Sequence, residues 1–69
     1  MDIKSKLGIR IRELRHNRDW SQEQFSHICG LDRTYIAGIE QGKRNVSVVN
    51  LEKIANGFDL TLSQLFTNL

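Results

Sequence analysis

Turned with Ile36 and Ile39 inward, a helix over residues 32–41 presents Thr34, Ala37, Gly38 and Gln41 outward, with Arg33 at its N-terminal edge. That outer face is short in side chain. Such a helix can sit deep in a DNA major groove, where Arg33 reaches a guanine edge in bidentate fashion and Thr34 meets a thymine methyl or a phosphate. Tyr35 points to the flank, within reach of the DNA backbone. An exposed arginine at a helix start is otherwise unfavourable, because a cation there opposes the macrodipole. Gly38 has a second explanation, accommodation of a neighbouring helix, and the sequence leaves the two open. Lys43, Arg44 and Asn45 follow directly. A polar loop is ordinary solvated surface, but beside such a helix these residues are expected to reach the DNA backbone or an adjacent base, Arg44 foremost. Ser21, Gln22 and Gln24 open the preceding helix, and a free helix N-terminus with amide side chains can clamp a phosphate. Capping alone accounts for Ser21 and Gln24. Gln22 has no capping duty and is assigned a phosphate contact.

Other chemistry finds little footing. No serine, histidine and acid are spaced for catalysis, and no glycine-rich phosphate loop occurs, so no catalytic residue and no cofactor or small-molecule ligand is expected. His16 and His27 have no partner cluster, which leaves no metal site. Cys29 reads as a small buried hydrophobe, and Trp20 as a packing residue. The net charge of +2 is unevenly spread: residues 1–18 carry Lys4, Lys6, Arg10, Arg12, Arg15 and Arg18 against Asp2 and Glu13 alone. A basic first helix suits nucleic acid but is equally a solvated face.

These residues need elements to hold them. A chain of 69 residues supports one domain, 1–69, with one small core. The single cysteine permits no internal disulfide, and apolar runs never exceed three residues, so neither a membrane span nor a secretory signal is expected. A reducing cytoplasm follows. There is no proline and no sustained period-two alternation. Ile3, Leu7, Ile11 and Leu14 form the stripe of a first helix near 2–17. Four further starts each pair an N-cap with a hydrophobic staple: Trp20, Ser21 and Phe25; Leu31, Asp32 and Ile36; Val46, Ser47 and Leu51; Leu60, Thr61 and Leu65. Gln24 and Gln64 complete capping boxes. Gly30 marks the link between the second and third helices, and Gly42 and Gly57 suit left-handed stops. The expected architecture is all-α, with helices near 2–17, 21–28, 32–41, 47–56 and 61–67. Phe25, Ile28, Ile36 and Ile39 are expected to face inward in the pair 21–41, two short helices with a tight link, which is a helix-turn-helix unit.

At this point the sequence resembles the Xre-type, lambdoid-repressor family of DNA-binding domains. The resemblance rests on LGIRIRELRHNR (7–18), SQEQF (21–25), Gly30–Leu31, YIAGI (35–39), EQGKRN (40–45), SVVNLEKIA (47–55) and LSQLF (62–66). Within that family, LDRTYIAGIEQGKRN (31–45) looks like the controller proteins of restriction–modification systems. Ser26 departs from the usual alanine, and Gly38 costs about 1 kcal/mol of helix propensity relative to alanine. The resemblance implies a dimeric transcription regulator on a pseudo-palindromic operator in double-stranded DNA. It would act by blocking RNA polymerase near a promoter, or by recruiting it from upstream. It also implies that Arg15 and Glu40 form a largely buried ion pair that fixes the angle of the third helix. Other phage, plasmid and antitoxin repressors share much of the pattern, and a protein-interaction adaptor could use the same helices.

Assembly is read from the chain end. Phe58, Leu60, Leu62, Leu65, Phe66 and Leu69 are too many for one short helix to turn inward. The region 57–69 is therefore expected to form a homodimer interface of Phe58, Leu60, Leu65, Phe66 and Leu69, anchored by Phe66 or Leu65.

Overall fold

The computed structural model describes residues 1–69 and contains helices only: α1 (Ile3–Asn17), α2 (Gln22–Cys29), α3 (Arg33–Glu40), α4 (Val48–Gly57) and α5 (Leu62–Leu65). Each start is satisfied locally. Asp2 Oδ1 accepts from the Ser5 N–H at 2.9 Å, a bond that draws the Asp2 pKa below its ordinary value. Ser21 with Gln24, and Thr61 with Gln64, form reciprocal capping boxes, while Asp32 and Ser47 accept from the N–H groups of Thr34 and Asn50. No helix is long and apolar enough to cross a membrane.

The stops differ from expectation at one point. Gly30 and Gly42 adopt left-handed backbone, each with φ of 75°. Gly57 does not. It lies inside the last turn of α4, where an added Cβ would come within 3.0 Å of Phe25 Cε1 and 3.1 Å of Cys29 Cβ. Its smallness lets α4 approach α2. The left-handed stop after α4 is Asp59 (φ 58°), and Asp19 (φ 56°) does the same after α1. In both turns the next N–H bonds back to a carbonyl five residues earlier, Trp20 to Arg15 and Leu60 to Ala55. Aspartate tolerates this conformation better than most residues, though less well than glycine.

One core holds the helices together: Leu7, Ile11, Phe25, Cys29, Ile36, Ile39, Ile54, Ala55, Phe58 and Leu65. Phe25 and Phe58 stack at 4.2 Å, and Trp20 continues the stack from Phe58 at 5.9 Å. Ile28, expected inward, is 46% exposed, and the buried position on that face belongs to Cys29. The buried residues of the eight-residue α2 are Phe25, Ser26 and Cys29, and Cys29 lies one helical turn after Phe25. Burial raises the Cys29 thiol pKa, which keeps it protonated. Ile3 extends the first stripe past the core edge and is 56% exposed.

The chain end also differs from expectation. Phe58 and Leu65 have no exposed surface in this fold and belong to the core. The aromatic stack claims Phe58, and Leu65 is the inward staple residue of α5. Leu60, Phe66 and Leu69 stay half-buried. Five exposed valine and isoleucine side chains, Ile3, Ile9, Ile28, Val48 and Val49, lie outside this region altogether.

Candidate nucleic-acid interface

The recognition segment is built from its buried side outward. Ile36, Ile39 and Glu40 are the buried residues of α3. Glu40 receives a bidentate guanidinium from α1, Arg15 Nε to Oε2 at 2.7 Å and Nη2 to Oε1 at 2.8 Å. Arg15 Nη1 also donates to the Trp20 carbonyl at 2.8 Å. Arg12 stands 3.7 Å from Oε1, and Gln22 Nε2 donates to the same oxygen at 3.2 Å. Burial works against the Glu40 charge, but these hydrogen bonds and cations outweigh it and hold the carboxyl below its ordinary pKa. The hydrogen bond to Glu40 likewise raises the Arg15 pKa. One carboxylate thus ties α1, α2 and α3 together.

Gln22 therefore has a duty that the sequence did not reveal. One of its amide hydrogens is engaged with Glu40, eighteen residues away. The second hydrogen stays available at the start of α2. Ser21 and Gln24 are occupied in capping through their acceptor oxygens, which leaves the Ser21 hydroxyl proton and the Gln24 Nε2 group to donate outward. Both residues are exposed.

A second residue that the sequence reading passed over is Gly8. A Cβ there would lie 2.5 Å from the Ile39 carbonyl oxygen and 2.7 Å from that of Glu40. Backbone cannot yield as a flexible side chain can, so α1 and α3 cross at this contact only because residue 8 has no side chain. Glycine in a helix interior opposed its own propensity and was the available signal.

On the outer side, Arg33, Thr34, Gln41, Lys43, Arg44 and Asn45 are exposed, and Ala37 and Gly38 are half-exposed between them. Asp32 caps the helix directly beneath Arg33. Gly38 meets no helix. The nearest atoms to a Cβ built on it belong to the Arg44 side chain. The Arg44 guanidinium carbon lies 5.5 Å from the centre of the Tyr35 ring, and the Tyr35 hydroxyl accepts from Asn50 Nδ2 at 3.2 Å. Asn50, on α4, is a further residue of this face, and nothing in its local sequence announced the contact. The structure brings residues 33–45 onto one edge, adjoining the start of α2 through the Gln22–Glu40 bond. No cluster of three or more His, Cys, Asp or Glu side chains forms.

Comparison with known proteins places this arrangement. Residues 11–65 match the family HTH_3, described as helix-turn-helix. Control protein C.MunI of Mycoplasma sp is 52% identical over 69 residues, covering 99% of this chain and 93% of the relative. The crystal structure of the restriction–modification controller protein C.AhdI from Aeromonas hydrophila is 46% identical, covers 91% of this chain and 96% of its own, and superposes with a TM-score of 0.87. Controller protein C.Esp1396I, solved as a tetramer with its natural 35-base-pair operator, is 33% identical over 97% of this chain and 88% of that one, with a TM-score of 0.88. A likeness at these identities over nearly the whole of both chains, on top of a matching family domain, carries a plain conclusion: the chain belongs to the HTH_3 helix-turn-helix family and, within it, to the restriction–modification control proteins.

Proposed function

We propose that this chain is a sequence-specific DNA-binding regulator of transcription that controls a restriction–modification system as a homodimer. The observation that carries this reading is the recognition segment itself. Its inner face is locked to α1 and α2 through Glu40, while its outer face is left exposed and unpaired. Helix α3 enters the major groove, where Arg33, Thr34, Ala37, Gln41 and Arg44 meet base edges and Gly38 leaves room between them. Ser21, Gln22, Gln24, Tyr35, Lys43 and Asn45 grip the sugar–phosphate backbone and set register. A two-fold dimer through Leu60, Phe66 and Leu69 presents two α3 helices to successive grooves about 34 Å apart. Occupancy near a promoter blocks RNA polymerase, and occupancy upstream recruits it. The governed genes are the endonuclease gene and the regulator's own.

Selection of bound duplexes from a random pool tests this. The expected result is one enriched site with two-fold related halves. An adaptor that docks proteins would enrich no motif and would prefer no duplex over random DNA at physiological salt, which would overturn the reading.

A further inference from the structure

The end of α3 is a Schellman turn. Gly42 N–H bonds to the Ile39 carbonyl and Lys43 N–H to the Gly38 carbonyl, both at 3.0 Å, with Gly42 left-handed. This turn reverses the chain, so that Arg44 lies back along the helix it follows. A Cβ built on Gly38 would stand 3.0 Å from Arg44 Nε, 3.1 Å from Cγ and 3.6 Å from Cδ. The arginine stem therefore runs through the space that a side chain at residue 38 would fill. Its guanidinium continues onto the Tyr35 ring face. No carboxylate pairs with it, since the ion pairs of the molecule are those of Arg12 and Arg15 with Glu40. Arg44 is thus seated by packing alone, and its guanidinium hydrogens remain free to donate.

We propose that Gly38 is a positioning residue for Arg44. The missing side chain forms the seat that holds the arginine against α3 before DNA arrives, and so sets which base edge Arg44 reads. This inference rests on the DNA-reading function proposed above. A long side chain fixed in advance loses less rotamer freedom on binding, so the seat favours the one operator that matches it. It also explains why a helix interior tolerates glycine, the poorest non-proline helix former. If Gly38 were idle, alanine there would only strengthen the helix.

The test compares wild type, Gly38→Ala, Arg44→Ala and the double variant, each titrated against the selected operator and a random duplex at fixed salt. Gly38→Ala is expected to fold with an unfolding midpoint at or above wild type, because only a flexible side chain must shift. Its operator affinity should nevertheless fall about tenfold, with random-duplex affinity within about twofold of wild type. In the Arg44→Ala background the same change should cost nothing further. The Arg44 Nε–H resonance of the free protein should also move in Gly38→Ala, which a methyl clashing with DNA alone would not cause. An unchanged operator affinity in Gly38→Ala overturns the proposal. So does an equal loss with and without Arg44, which would mean that the methyl strikes DNA directly. A wild type that does not distinguish operator from random duplex would instead overturn the DNA-reading function and this inference with it.

Discussion

The Glu40 junction and the chain end from Gly57 onward solve opposite problems. At the junction, Arg15 and Glu40 are buried with Gln22 half-buried beside them, and no buried side-chain nitrogen or oxygen is left without a partner. At the chain end, apolar groups outnumber the inward positions that one short helix offers. Phe58 and Leu65 take those positions, and Leu60, Phe66 and Leu69 are left half-buried. The contrast teaches that the two regions hold different kinds of information. The junction fixes an angle, because a bidentate ion pair has one geometry. The chain end offers adhesive surface, because apolar contact has no preferred direction.

The rigid junction carries the largest expected effect. Glu40→Ala leaves the buried Arg15 without its carboxylate and should cost roughly 3–5 kcal/mol in denaturant unfolding. A loss below about 1 kcal/mol would mean that the junction behaves as an exposed pair. Acid provides the same test without mutation. The folded pKa of Glu40 lies below its unfolded value near 4.3, so its contribution is complete above that value and is lost as pH falls through the folded one. Glu40→Gln should remove this part of the acid sensitivity, as read from unfolding midpoints across pH 2–6.

The soft side divides into two outcomes. Phe58→Ala should cost about 3–5 kcal/mol of folding stability, since it opens the centre of the aromatic stack. Phe66→Asp should leave the monomer folded but turn a dimer into a monomer in analytical ultracentrifugation at micromolar concentration. If both variants lose stability alike and the oligomeric state does not change, the chain end is merely core and the dimer forms elsewhere.

How far the sequence could be read follows the same division. Caps and staples are local, so Ser21 with Gln24 and Thr61 with Gln64 were legible three residues apart. The ion pair Arg15–Glu40 was legible only through family resemblance, since its partners are 25 residues apart. The Gln22–Glu40 bond was illegible for that reason: the partner lies eighteen residues away across the fold, and nothing in the local sequence of Gln22 points to it. Gly57 was misread because glycine signals two different needs, a left-handed backbone and a close helix contact, that composition cannot separate. Asp59, which does adopt the left-handed turn, was missed because aspartate is ambiguous between turns and surface. The chain end was misdivided because its surplus of apolar residues was legible, but which of them the core would take depends on packing.

The smallest effect sharpens that last point. Asp59→Gly should raise stability by roughly 0.5–1 kcal/mol, because glycine meets no Cβ penalty at φ 58°. A loss of stability would place a side-chain role on Asp59 that the turn geometry does not provide.

In the proposed complex, the locked helix α3 reads bases while its surroundings hold the backbone. Arg33→Ala tests it most directly, by titration of operator and random duplex at one salt concentration. The variant should lose about 1–3 kcal/mol on the operator and almost nothing on random DNA. Equal losses on both would make Arg33 a phosphate contact and remove base reading from the start of α3.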